Sequence, residues 1–274
     1  MNDTATGPRP PEGDWLGTPY LHFERRGPLA VVTVDRPQMR NAMSPAMYFG
    51  VRYAVDLVNA DDSLAGTLIT GTGDVFIPGG DLGGDNIDGW ADLPRLLGMD
   101  NTPFEAIRLS PKPVVCAVNG LAQGGGLMIA MLADVTVASD RATFRAPELF
   151  RGIADTNYGQ ILPRQVGPAR ARDMLMTGRV VNATEAADWG LVARVVPHDR
   201  LFGEAVEVLT WCCRTAPRAR RDVKRTMDQF YGTYDRMAMD ASLSSDEPVE
   251  GFTAFKERRN PSWVPPELRG EGRI

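Results

Sequence analysis

Four short runs rich in β-branched residues set the architecture of this 274-residue chain: residues 29–34 (LAVVTV), 67–70 (TLIT), 114–118 (VVCAV) and 135–138 (VTVA). They are bounded by Gly, Pro, Asp and Asn and are apolar without alternation, the pattern of strands buried on both faces. Between the first two, residues 44–59 (SPAMYFGVRYAVDLVN) place Ser44 as an N-cap, Pro45 at the first helical position and Met47, Val51, Ala54 and Val58 on one face of a helix. Strands alternating with helices imply parallel pairing through right-handed crossovers, and ligands of such sheets bind beyond the carboxyl ends of the strands.

Past Leu162 the strand signal thins. Residues 170–177, 184–189 and 201–234 read as helices, with 191–196 a short strand, so the C-terminal third must lay its apolar faces on the sheet or on another subunit. The expected division is an arm over 1–18, Pro/Gly-rich and disordered, a core domain over 19–200, a helical region over 201–262 and a tail over 263–274.

Composition narrows the function classes. The longest apolar run, 127–133, has seven residues, far below the roughly 18 to 20 of a membrane-spanning helix. The first twenty residues lack the charged-then-apolar order of a secretory signal, so a cytoplasmic location without membrane association is expected. Cys116, Cys212 and Cys213 fit neither a disulfide framework nor zinc spacing, and no metal ligand set is visible. A net charge of −5, from 30 basic and 35 acidic residues, argues against nucleic-acid binding. The basic run Arg214, Arg218, Arg220, Arg221, Lys224 and Arg225 reads as a solvated helix face. His22 and His198, the only histidines, stand in no nucleophile setting, which argues against a Ser-His-Asp or Cys-His hydrolase.

Two glycine clusters remain. FIPGGDL (76–82) follows TLIT after a short turn, and NGLAQGGG (119–126) follows VVCAV and opens the apolar segment LMIAML. Glycine lets a backbone N–H approach a ligand without a Cβ in the way, and an N–H at a helix start has no intrahelical acceptor. Two such turns aimed at one point would stabilise negative charge on a carbonyl oxygen. The alternative is that the glycines only permit tight turns and close packing. Neither cluster has the Gly-Lys-Ser/Thr or Gly-x-Gly-x-x-Gly pattern of a nucleotide site.

FIPGGDL and AVNGLAQGGGLMIAMLADV (117–135) together resemble the two oxyanion-hole segments of the enoyl-CoA hydratase/isomerase, or crotonase, superfamily. Further similar segments are RPQMRNAMS (36–44), the early CoA-contacting loop, FRAPELFRGIA (144–154), the acidic segment, the helical middle over 162–196, and EGFTAFKERRNPSW (250–263), the terminal helix. The resemblance spans about residues 20–263. It implies an α/β crotonase-like fold, a spiral of βαβ units with a helical C-terminal trimerisation region, assembling as a homotrimer or dimer of trimers. It also implies an acyl-CoA thioester substrate whose carbonyl oxygen lies between the amides of Gly80 and Gly125, with no cofactor, because coenzyme A is part of the substrate.

Hydratases of the family place one glutamate two residues after the triple-glycine turn and another twenty residues later. Here those positions are Met128 and Glu148. With one carboxylate missing, the resemblance implies isomerase-type proton transfer by Glu148 upon a thioester enolate, with Asp155, where some relatives carry a functional aspartate, as its partner or else a turn or helix-cap residue. Arg40, Ala42, Pro78, Asp81, Leu82, Met128, Phe252, Phe255 and Arg258 occupy positions of substrate contact, while Arg36 and Arg40 read as CoA-phosphate contacts or solvated cations and Asp81 equally as the cap of a following helix. The alternatives are an enoyl-CoA hydratase, a β-keto or ring-opening acyl-CoA hydrolase and, from another class, a non-catalytic acyl-CoA-binding or scaffold protein.

Overall fold

The computed structural model describes residues 14–81, 103–232 and 235–269. Most of the N-terminal arm, Leu82 and the last five residues of the tail therefore lie outside the described residues. Among those described, the larger sheet contains β1 (Leu21–Arg26), β2 (Leu29–Val34), β3 (Gly66–Gly71), β5 (Val114–Val118), β7 (Val135–Ser139) and β10 (Arg194–Val196), in that order. A smaller sheet contains β4 (Val75–Ile77), β6 (Leu121–Gln123), β8 (Thr143–Arg145) and β9 (Val181–Asn182). The four strands legible from β-branched runs are the central four of the larger sheet, paired in parallel as expected.

The chain climbs in a spiral. After each of β3, β5 and β7 it turns a corner and adds a short strand, β4, β6 or β8, to the smaller sheet. The corners are tight: a Cβ on Gly120 would stand 1.8 Å from the Asp74 carbonyl oxygen, so only glycine fits. Asn119 locks the same corner, accepting from the Gly71 amide at 3.1 Å and donating to the carbonyls of Gly73 at 2.9 Å and Val75 at 3.1 Å. Strands of two or three residues carry too little pattern to register by periodicity, which is why the second sheet was not foreseen. The hairpin strand β1 was missed for another reason: as a sheet edge it exposes most of its side chains.

Helix α1 (Pro45–Ala60) begins where predicted, with Ser44 Oγ accepting from the Met47 amide at 3.3 Å, and buries Met47, Val51, Ala54 and Val58. It packs with α3 (Gly125–Leu132) against Ile69, Cys116, Val118 and Ala138 on one face of the large sheet; α2 (Pro103–Leu109) lies between them. The opposite face, Leu68, Val115, Ala117 and Val137, is covered by α7 (Leu201–Cys213) through Leu201, Ala205, Val208 and Leu209. Burying each of the Leu, Ile and Val side chains contributes roughly 1.5–3 kcal/mol, so both faces of the strands are held. Three helices, α4 (Thr156–Val166), α5 (Pro168–Thr177) and α6 (Ala183–Trp189), extend the inner layer.

The stretch 201–234, expected to be helical, is divided in two. Helix α7 ends at Cys213 and α8 (Pro217–Tyr231) begins at Pro217, whose missing N–H suits a helix start and interrupts a helix interior. Arg220 reaches back to the carbonyls of Cys212 at 3.1 Å and Thr215 at 3.0 Å, and Lys224 pairs with Asp134 at 2.8 Å. Part of the basic run is thus consumed in holding α8. The apolar residues Val223, Met227 and Phe230 of α8 are exposed. Helices α9 (Arg236–Leu243) and α10 (Asp246–Glu257) follow, then a 3-10 turn at Pro266–Leu268, and α10 packs on the turn formed by residues 148–151.

Candidate active site

Strand β4 runs directly into Pro78-Gly79-Gly80-Asp81. There Met43 and Gly80 form a parallel bridge: the Met43 amide donates to the Gly79 carbonyl at 2.9 Å and the Asp81 amide donates to the Met43 carbonyl at 2.8 Å. Amides of a paired extended segment alternate in direction, so this bridge turns the Gly80 N–H to the side away from Met43. A buried ion pair fixes the turn from behind. Arg36 Nη1 donates to Asp81 Oδ2 at 2.8 Å and to the Ala42 carbonyl at 2.9 Å, with side-chain exposures of 10% for Arg36 and 3% for Asp81.

The second turn starts at Gly124, whose φ of 54° is in the left-handed region and whose neighbour Gly125 is the first residue of α3. An amide at that position has no acceptor within its helix. Helix α3 leans directly on β4, since a Cβ on Gly126 would lie 2.0 Å from the Ile77 carbonyl oxygen. The two glycine turns consequently meet. A Cβ placed on Gly124 would be 3.6 Å from Gly79 Cα and 3.1 Å from Glu148 Oε1.

Glu148 opens the 3-10 turn after β8 and is partly buried, with Oε2 sealed from solvent and lacking a hydrogen-bond partner. Burial, reinforced by the Asp155 carboxylate, pushes its pKa up to about 8, against the opposing pull of Arg151 and Arg145. Glu148 is therefore chiefly a neutral acid at pH 7. Asp155 is the N-cap of α4: its Oδ1 accepts from the amides of Asn157 at 3.0 Å and Tyr158 at 3.3 Å. Burial pushes its pKa up to about 6, while those two amides act the other way. Asp155 thus caps a helix and also acts electrostatically on Glu148, two roles that had seemed exclusive in the sequence.

The turns that carry Gly80 and Gly125 meet beside Glu148, and the Asp155 carboxylate is near enough to act on Glu148. Met128 lies on α3, 2% exposed within the inner core. The Ala42 carbonyl is taken by Arg36, and the Pro78 carbonyl accepts from Gln123 Nε2 at 3.3 Å. Asp81 is engaged with Arg36, and any helix that it would cap falls outside the described residues. Arg36 is buried rather than solvated, whereas Arg40 is exposed. From α10, Phe255 lies under the Arg151 guanidinium at 4.1 Å; Phe252 is partly buried and Arg258 exposed.

Two tyrosines escaped the sequence reading. The Tyr158 hydroxyl donates to the Gly124 carbonyl at 2.6 Å, and Tyr48 of α1 stands against Gly125. Nothing in a linear pattern links residues that far apart. His198 Nδ1 also lies 3.1 Å from Ser139 Oγ, a contact not foreseen; Ser139 is 0% exposed and its Oγ accepts from the Arg141 amide, so the pair pins the turn after β7. Among the described residues no cluster of three or more metal-ligating side chains occurs, and no helix is long and apolar enough to cross a membrane.

A two-sheet α/β spiral with paired glycine turns beside a neutral carboxylic acid is an arrangement that can hold charge developing on a carbonyl oxygen and move a proton next to it. The family model for enoyl-CoA hydratase/isomerase matches residues 24–266, and the chain belongs to that family as one of its enzymes. A carnitinyl-CoA dehydratase of Citrobacter koseri is 33% identical over 270 residues, covering 89% of this chain and 97% of that protein. A mevalonyl-coenzyme A hydratase of Aspergillus fumigatus is 33% identical over 265 residues, covering 88% and 93%. The crystal structure of an enoyl-CoA hydratase/isomerase from Pseudoalteromonas atlantica superposes with a TM-score of 0.75 at 28% identity, covering 89% of this chain and all of that one.

Proposed function

We propose that the protein shifts the double bond of an enoyl-CoA thioester by proton transfer through Glu148. The observation that carries this reading is a glutamate of raised pKa at the meeting point of the two glycine turns, where the position of a second family glutamate holds the buried Met128. The thioester oxygen sits between the amides of Gly80 and Gly125. Ionised Glu148 removes a proton from the α carbon of a 3-enoyl thioester, the electron pair spreads into the carbonyl as an enolate, and the protonated carboxyl returns the proton at the γ carbon. Coenzyme A is part of the substrate and no other cofactor is required. Burial, with the Asp155 carboxylate, holds Glu148 at a pKa suited to both directions of transfer.

The reading includes contacts to the thioester from Arg40, Ala42, Pro78, Leu82, Met128, Phe252, Phe255 and Arg258. It also includes the division of the chain into a core over 19–200 and a helical region over 201–262, with assembly as a homotrimer; the exposed Val223, Met227 and Phe230 of α8 supply an apolar surface for such assembly. Hydration is the second reading, favoured by the electrostatic coupling of Asp155 to Glu148, which offers a second carboxylate, and by the hydratase and dehydratase activities named for two relatives.

Paired assays with 3-enoyl-CoA and 2-enoyl-CoA in ¹⁸O-water separate the two. Isomerase action gives 2-enoyl-CoA from the 3-enoyl substrate with no label in the acyl chain. Turnover of the 2-enoyl substrate alone, with ¹⁸O incorporated, replaces isomerisation by hydration.

A further inference from the structure

Helix α1 brings a side chain against the second glycine turn, at Gly125. Its N-terminal approach is tethered to the first turn through the Met43–Gly80 bridge, and five residues later in the chain Tyr48 stands against the second. A Cβ on Gly125 would lie 2.2 Å from the Tyr48 hydroxyl oxygen and 2.9 Å from Cζ. Since a Cα–Cβ bond is about 1.5 Å, the hydroxyl is no more than about 3.7 Å from Gly125 Cα. Phe104 packs edge-on against the Tyr48 ring, with centroids 6.1 Å apart, and steadies it. Burial, together with the nearby Glu148 carboxyl, pushes the phenol above its ordinary pKa, so the hydroxyl keeps its proton at neutral pH.

We propose that the Tyr48 hydroxyl is a third donor to the thioester oxygen, beside the amides of Gly80 and Gly125. The inference rests on the thioester reading above and adds a side chain to an oxyanion site otherwise made of backbone. A side-chain donor is of use here because the developing oxyanion can accept from more than two directions, and a neutral phenol adds no charge that would oppose ionisation of Glu148.

The test is the infrared carbonyl stretch of [1-¹³C]butyryl-CoA bound to the full-length protein, together with kinetics on a 3-enoyl-CoA. With the wild type, the stretch moves to lower frequency than in free butyryl-CoA. Tyr48→Phe is expected to reduce that displacement and to lower kcat about 10- to 100-fold, somewhat less than the loss of a principal oxyanion donor, with butyryl-CoA affinity changed less than about threefold. Incorporation of 3-fluorotyrosine at position 48 strengthens the donor without altering the packing and is expected to enlarge the displacement, which keeps the test open if the phenylalanine variant fails to fold. A displacement unchanged by both replacements overturns the role of Tyr48 and leaves the thioester reading standing. No displacement in the wild type sinks the thioester reading itself.

Discussion

The hydroxyl of Tyr158 donates a 2.6 Å hydrogen bond to the carbonyl of Gly124. Through it, the helix capped by Asp155 grips the glycine turn that presents the Gly125 amide, so the acidic and oxyanion halves of the site are parts of one assembly. Tyr158 is 1% exposed and holds this contact in the inner core.

Replacing Tyr158 by Phe should therefore affect more than stability. The loss removes one of two donors from a buried carbonyl that still accepts from the Met128 amide at 3.0 Å, a cost of about 0.5–1.5 kcal/mol. Because that carbonyl belongs to the turn, kcat should fall as well, by roughly tenfold for a small misplacement of one oxyanion amide. Chemical denaturation alongside steady-state kinetics checks both; a variant that loses stability but keeps full kcat would disconnect Tyr158 from the geometry of the turn.

Glu148→Gln is expected to reduce turnover of the enoyl-CoA substrate by about 10²- to 10⁴-fold, the usual range for a general acid–base group. Affinity for the CoA ester should persist, since the amides remain. Calorimetric binding of the ester and single-turnover assays report the two quantities separately. A fully active glutamine variant would remove Glu148 from the chemistry.

Proton abstraction requires ionised Glu148, whose pKa lies at about 8. For the wild type, kcat/KM with a 3-enoyl-CoA should rise with pH and level off above this value. Asp155→Asn keeps a side chain able to cap α4 but deletes the neighbouring negative charge, so the midpoint of the rise should move to lower pH. A midpoint that stays put would mean that Asp155 serves α4 alone.

The same shift has a thermodynamic sign. A carboxyl whose pKa is higher in the fold than in the unfolded chain favours the fold while protonated, so its contribution is complete below about pH 4.5 and is lost as pH climbs to about 8. Glu148→Gln, permanently neutral, should escape that loss. Above pH 8 the variant should exceed the wild type in stability by on the order of 1–3 kcal/mol, a range held down by the partial solvent contact of the residue. Urea titrations at pH 5 and pH 9 give the comparison, and a difference between the proteins that does not vary with pH would contradict it.

Asp81→Ala should destabilise the protein by about 3–5 kcal/mol, because it strands the Arg36 guanidinium inside the structure without its carboxylate. Thermal unfolding tests this directly. A change below about 1 kcal/mol would show that the ion pair is dispensable to the Gly79-Gly80 turn.

The four central strands of the large sheet and α1 were legible because each announces itself locally. LAVVTV and VVCAV are continuous apolar runs, and Ser44-Pro45 is a helix start whose cap bond is present in the structure. The strands of the smaller sheet are two or three residues long and carry no period, and the break at Pro217 was hidden within a generally helical composition. At the site, the glycine clusters and Glu148 stood out by residue type, and Met128 by the carboxylate it lacks. Tyr48 and Tyr158 did not, since a tyrosine at a helical position looks the same whether it packs or works, and Arg36 stood out only as a CoA-phosphate contact or solvated cation, not as the buried partner of Asp81.

By itself, the sequence determined that the chain alternates strands and helices, that two glycine turns follow strands, and that a single glutamate stands at the acidic position. Those are properties of neighbours along the chain: side-chain shape, backbone freedom and spacing. Only the tertiary structure decided that the turns meet beside Glu148, that Asp155 raises the pKa of that acid while capping α4, and that Tyr158 and Tyr48 reach the same place from separate helices. The reason is physical, because hydrogen bonds, desolvation and Coulomb interactions depend on distance through space, and residues such as Gly124 and Tyr158, 34 positions apart, become neighbours only after the sheets and helices have packed.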